Sequence, residues 1–165
     1  MIVLLQRVDG ASVDVVKETG VRRTGEVARG FLALVCAEPG DGAEAVRKLA
    51  RKTAKLRVFE DEAGKMNRSV ADVGGRVLAV SQFTLAADCM NGNRPSFSGA
   101  AGPEEGLAGF NAYVEALRAE GVDVETGEFG AHMRVSLVND GPATFWLRMP
   151  PAHGERSLFQ NVTAR

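Results

Sequence analysis

The opening run Ile2-Val3-Leu4-Leu5-Gln6-Arg7-Val8, then Asp9-Gly10, then Ala11-Ser12-Val13-Asp14-Val15-Val16, sets the architecture. Its β-branched and aliphatic residues favour extended chain, and Asp-Gly is turn chemistry. The same grammar continues: Thr19-Gly20 and Arg29-Gly30 punctuate further apolar runs. Strands are therefore expected over 2–8, 11–16, 21–27 and 31–37, in a largely antiparallel meander or barrel rather than a doubly wound sheet. A helix is expected over 41–58, where Val46, Leu49, Thr53 and Leu56 share one face. Arg47, Lys48, Arg51, Lys52 and Lys55 cover the rest of it, which suits either a solvated surface or a phosphate-binding patch. The acidic Glu60-Asp61-Glu62 that follows partly offsets this charge.

Residues 64–75 are turn-rich, and 76–85 form a near-continuous apolar run that fits a strand buried on both faces. The loop over 87–102 is too long for a mere connection. A second helix starts at Pro103, with Glu104 and Glu105 complementing its N-terminus, Leu107, Phe110, Val114 and Leu117 as its stripe and Gly121 as its stop. Strands over 122–126, 133–139 and 143–148 complete an α/β chain with a barrel-like β-core and two main helices outside. Residues 1–148 read as one domain and 149–165 as a C-terminal extension. Its Asn161-Val162-Thr163 is a glycosylation sequence without meaning unless the chain is secreted.

The chain has 165 residues, 45% hydrophobic and 25% charged, with 20 Lys and Arg against 21 Asp and Glu. This balance excludes a nucleic-acid binder that relies on bulk positive charge, so any RNA contact is a local patch. No run reaches the ~20 apolar residues of a membrane-spanning helix. The first residues read as a strand rather than a secretory signal, and a cytosolic protein is expected. Cys36 and Cys89 make no disulfide framework, Cys36 reading as a small buried hydrophobe and Cys89 as a loop thiol. His132 and His153 have no companion at metal-ligand spacing, so no metal is expected. P-loop, Gly-x-Ser-x-Gly and His-Glu-x-x-His patterns are missing. An enzyme built this way works with backbone dipoles, hydroxyls, amides or groups on its substrate.

Two segments carry the candidate chemistry. Ser81-Gln82-Phe83-Thr84 ends the buried run and is either a strand terminus satisfying its own backbone or a pocket wall. Asn139-Asp140-Gly141-Pro142-Ala143-Thr144 is good hairpin-turn sequence. Its Gly-Pro bond could equally be cis, leaving two carbonyls on one side as a rigid acceptor pair.

Together, Val80-Ser81-Gln82-Phe83-Thr84-Leu85, Gly92-Asn93-Arg94-Pro95-Ser96-Phe97 and Val138-Asn139-Asp140-Gly141-Pro142-Ala143-Thr144 resemble the D-aminoacyl-tRNA deacylase family. So do Leu5-Gln6-Arg7-Val8 with Ala11-Ser12-Val13, and Gly64-Lys65-Met66-Asn67 with Ser69. Each piece is short, but their order and spacing from Met1 to about Arg148 are specific. The resemblance implies a homodimer with its active site at the subunit interface, needing neither metal nor organic cofactor. It implies hydrolysis of the ester between a D-amino acid and the terminal adenosine of tRNA. A rigid carbonyl pair near the substrate Cα would leave no room for an L side chain, while glycine, having no side chain, would not be rejected. Ser81, Gln82, Phe83 and Thr84 would form one wall of the catalytic pocket, and Gly141 and Pro142, joined by a cis bond, would enter the partner's pocket. Arg7, Asn139 and Thr144 would support them, and Arg94, Pro95, Ser96 and Phe97 would meet the tRNA end. Either the Thr84 hydroxyl or the substrate's own 2′-hydroxyl would drive the reaction. The chemistry of the residues favours the latter, because no base stands beside Thr84 in the motif. The alternatives are an RNA-binding module without hydrolysis, and a small-ligand barrel. Cys36-Ala37, Cys89-Met90-Asn91 and Ala143 depart from the family's usual residues, the second making the loop less basic.

Overall fold

A computed structural model describes residues 1–150. The expected extension from 149 onward, with His153 and the sequence at 161–163, falls outside the described residues except for Met149 and Pro150. The elements run β1 (Ile2–Lys17), β2 (Gly20–Val27), β3 (Gly30–Cys36), α1 (Ala43–Lys55), β4 (Phe59–Glu60), β5 (Met66–Arg68), β6 (Arg76–Ser81), α2 (Pro103–Ala119), β7 (Val124–Thr126) and β8 (Met133–Arg148). The main sheet is mixed: β1 pairs antiparallel with β2, β3 and β8, while β3, β6 and β7 are mutually parallel neighbours.

Several expected boundaries are corrected. Asp9-Gly10 is not a turn, and 2–8 and 11–16 are one 16-residue strand. The chain stays extended because β8 pairs along it from Ile2 to Val15, so Asp9 is absorbed as an irregularity in register. On the other edge β3 takes residues 2–8 and β2 takes 11–17, an arrangement that is no simple meander. Likewise 133–139 and 143–148 are two halves of β8, both paired with β1, so Asn139-Asp140-Gly141-Pro142 is not a hairpin turn. The apolar run from 76 leaves the sheet at Ser81, and Phe83–Ala86 coil into a 3₁₀ turn. The short β4–β5 hairpin lies where only turn residues were expected.

Alternation explains the unbroken apolar character of β3 and β6. Phe31, Ala33 and Val35, with Val77 and Ala79, face the helices. Leu32, Leu78 and Val80 face the barrel interior with Val8, Ala11, Val13 and Val27. The helices close the outer layer through Val46, Leu49 and Ala50 of α1 and Phe110, Tyr113, Val114 and Leu117 of α2. Leu107 lies outside this stripe, 41% exposed. Where the helices meet, Thr53 Oγ1 and Tyr113 Oη share a buried hydrogen bond of 2.8 Å. Two glycines let strands approach. A Cβ on Gly30 would lie 1.9 Å from the Arg76 carbonyl oxygen, and one on Gly25 would lie 2.9 Å from that of Thr126, where β7 nearly closes the barrel against β2.

Candidate active site

The end of β6 and the 3₁₀ turn place the Ser81-Gln82-Phe83-Thr84 segment. Gln82 N–H donates to the Val35 carbonyl at 2.8 Å, anchoring the exit from the sheet beside β3. Phe83 and Thr84 then open the 3₁₀ turn, so their N–H groups have no intrahelical acceptor. The Gln82 amide donates from Nε2 to Thr84 Oγ1. Phe83 is 56% exposed and meets Phe97 edge to face, with ring centroids 5.0 Å apart. This contact brings the strand end and the 87–102 loop together.

Between them lies an apolar cavity of about 450 Å³. Ser81, Gln82 and Phe83 line it together with Cys36 and Ala37, and Phe97, Gly102, Pro103 and Phe129 are among its other lining residues, whereas Thr84, expected in the same wall, does not line it. Burial, with the charge of Glu38 added, pushes the Cys36 thiol up to about 11, so it stays protonated. Arg94, Pro95 and Ser96 are exposed on the loop and do not line the cavity, and of that stretch only Phe97 does. The loop is closed by backbone bonds in both directions between Asp88 and Ser96.

Gly141 and Pro142 are elsewhere, exposed on β8, and the bond between them is cis. Gln6 pairs with Thr144 and Val8 with Asn139, so residues 140–143 bulge out opposite Arg7 alone. The neck of the bulge is stitched. Asn139 Nδ2 donates to the carbonyls of Arg7 at 2.9 Å and Ala143 at 3.4 Å, and Gln6 Nε2 donates to Thr144 Oγ1 at 3.3 Å. The buried Arg7 side chain lies beneath, its Nη1 donating to the Val58 carbonyl at 2.5 Å. Its Nε stands 2.8 Å from Asp140 Oδ2, as a charge contact rather than a well-directed hydrogen bond. Within the chain, then, the two groups of candidate residues are separate: neither Gly141 nor Pro142 lines the cavity.

Sequence reasoning missed Asp140 as the partner of Arg7, and the wall supplied by Gly102, Pro103 and Phe129. The small-residue run Gly99-Ala100-Ala101-Gly102 before a helix was the available signal. Among the described residues, no three His, Cys, Asp or Glu side chains are grouped to hold a metal ion.

The sequence pattern described as D-Tyr-tRNA(Tyr) deacylase matches residues 4–148. A D-aminoacyl-tRNA deacylase of Paracoccus denitrificans is 58% identical over 144 residues, covering 87% of this chain and 94% of the relative. One of Burkholderia cenocepacia is 55% identical over 156 residues, covering 92% and 100%. Among solved structures, the c-Myc DNA Unwinding Element Binding Protein superposes with a TM-score of 0.82 at 37% identity, over 91% of this chain and 99% of the other. A probable eukaryotic D-amino acid tRNA deacylase, at 18% identity, shares the fold with a TM-score of 0.73, over 88% and 97%. The pattern match spans nearly all the described residues and the bacterial relatives match almost end to end, so the chain belongs to the D-Tyr-tRNA(Tyr) deacylase family.

Proposed function

We propose that this protein hydrolyses the ester between a D-amino acid, or glycine, and the 3′-terminal adenosine of tRNA, and leaves the L-aminoacyl ester intact. It works as a cytoplasmic homodimer in which the bulge of one subunit completes the cavity of the other. The observation that carries this reading is the split just described, an open cavity on one side and a braced, exposed bulge on the other. The strand bearing the bulge pairs only with β1 among the described residues, and its Val138 and Trp146 are 62% and 53% exposed. An edge of that kind invites pairing, and a second copy covers it symmetrically.

The apolar cavity, with Phe83 and Phe97 at its mouth, suits a purine base held by stacking. The ester carbonyl then lies by Phe83 and Thr84, whose N–H groups, without an intrahelical acceptor, stabilise the oxyanion that forms as water attacks. The bond to the ribose oxygen breaks, and the amino acid and tRNA separate. Thr84 is a poor nucleophile here, because the group bonded to its hydroxyl is an amide, which takes no proton. The ribose hydroxyl beside the ester is already in place to assist, so the protein's contribution is position and charge stabilisation. Main-chain oxygens of the partner's bulge accept the substrate's amino protons and occupy the space an L side chain needs. A clash with braced backbone discriminates more strongly than an apolar pocket, where a methylene is worth about 1–3 kcal/mol.

The test is release of free amino acid from D-tyrosyl-tRNA and L-tyrosyl-tRNA. Turnover of the D-ester alone is expected. Comparable turnover of both overturns the exclusion mechanism, and tRNA binding without release favours an RNA-binding module.

A further inference from the structure

The outward face of α1 is cationic from Arg47 to Lys55. Arg47, Arg51 and Lys55 form one row and Lys48 and Lys52 the next, all exposed, with Val46, Leu49, Ala50 and Thr53 turned inward. The row spans about 12 Å of helix. Glu44 and Glu120, among the described residues, form ion pairs with it. Glu44 pairs with Lys48, and the one carboxylate of Glu120 is shared at 3.9 Å and 3.8 Å between Arg51 and Lys55. The acidic run beyond the helix does less than its composition suggests. Asp61 is turned into its own hairpin, accepting from the N–H groups of Ala63 and Lys65 and from the Asn67 amide.

The position of this face gives it meaning. Two residues after Lys55 comes Arg57, exposed, and then Val58, whose carbonyl receives the Arg7 guanidinium that also contacts Asp140 at the base of the bulge. The C-terminal end of the cationic row is thus linked to the base of the bulge through one guanidinium.

We infer that α1 is a phosphodiester-binding surface, on which Arg47, Arg51, Lys52 and Lys55 hold the acceptor-stem backbone of the tRNA whose terminal ester meets that subunit's bulge. The inference rests on the deacylase reading and adds a second contact region to it. Backbone contacts of this kind add affinity without sequence preference and weaken with salt.

The experiment compares the wild-type protein with R51Q/K52Q/K55Q on two substrates, D-tyrosyl-tRNA and the D-tyrosyl ester of adenosine. The expected result is a KM for the tRNA ester raised about tenfold with kcat unchanged, and a salt dependence of log KM shallower by about 1 for each phosphate no longer neutralised. The adenosine ester is hydrolysed equally by both proteins. An unchanged KM for the tRNA ester overturns the inference. So does an equal loss on both substrates, which places the effect in the site or the fold. Filter binding of uncharged tRNA reads the surface independently of catalysis. If neither ester is hydrolysed by wild type, the deacylase reading fails, whereas α1 stands or falls by whether the triple variant loses tRNA affinity. A variant with R51K/K52R, which keeps the charge, retains wild-type binding.

Discussion

Thr84 has the hydroxyl closest in sequence to the proposed reaction, and the group hydrogen-bonded to it is the Gln82 amide. Thr84→Ala is expected to keep kcat/KM within about tenfold of wild type, since no activated nucleophile is lost. A tRNA ending in 2′-deoxyadenosine is expected to abolish single-turnover release. Loss of turnover in a folded Thr84→Ala protein overturns substrate assistance. The two thiols provide a second check at this scale. Cys36 is buried with its proton held to about pH 11, while Cys89 is exposed on the loop. Iodoacetamide at pH 8 should label Cys89 and leave Cys36 unmodified, as read by peptide mass spectrometry. Ser81-Gln82-Phe83-Thr84 was legible as a candidate site because hydroxyls and an amide at the end of an apolar strand are unusual company. The Arg7–Asp140 contact was not, because it joins residues brought opposite each other only by pairing across 133 positions of chain.

At the scale of elements, β1 and β8 show what local pattern can and cannot reveal. Turn residues at 9–10 and 139–142 argued for four short strands, and local chemistry alone supports that. The long β1–β8 pairing overrides it, turning both would-be turns into irregularities of one ribbon. The buried β3 and β6 were legible because both faces are apolar, and α1 and α2 because their periodicity is strong. Asn139→Ala removes the stitch across the bulge while leaving the ladder on either side. Its expected signature is a fall in D-tyrosyl-tRNA turnover with partial loss of L-rejection, at a stability cost of about 1 kcal/mol by urea unfolding. Tyr113→Phe leaves the Thr53 hydroxyl buried without its partner, 2.8 Å away in the wild type. It is expected to cost about 1–2 kcal/mol by the same measurement and to leave KM unchanged.

For the whole molecule, β8 leaves one edge of the sheet unpaired among the described residues. Val138→Asp puts a charge on that edge and is expected to give a monomer by sedimentation velocity, with deacylation lost while the monomer's circular dichroism is retained. Acid should weaken the fold in a definite direction. Arg23 donating to Asp14, Asn67 to Asp61, Ser69 to Asp72 and Lys17 to Glu128 hold these carboxyls below their ordinary values of 3.8 for Asp and 4.5 for Glu. Their contributions are complete above those values and vanish as pH falls through the lowered ones, so Tm is expected to hold at neutral pH and decline below about 4.5. Asp41, raised by burial, acts in the opposite sense, as its protonation is favoured by folding.

The ribbon of β1 and β8 also constrains insertions and deletions. Val3 and Leu5 pack toward the helices, whereas Ala11 and Val13 pack into the barrel, although all four occupy odd positions of one strand. Asp9, which has no counterpart in β8 between the Val8–Asn139 and Gly10–Val138 pairs, reverses the alternation. The partner strand makes the same reversal. Phe145 and Leu147 pack on the helix side and Met133 and Val135 on the barrel side, because β8 carries three residues more than β1 between the Val8–Asn139 and Gln6–Thr144 pairs. Any odd surplus does this. Removing a single residue from 140–143 makes the surplus even and turns one half of β8 inside out, whereas removing two preserves its facing. Lineages of this ribbon can therefore lengthen or shorten the protrusion only in steps of two.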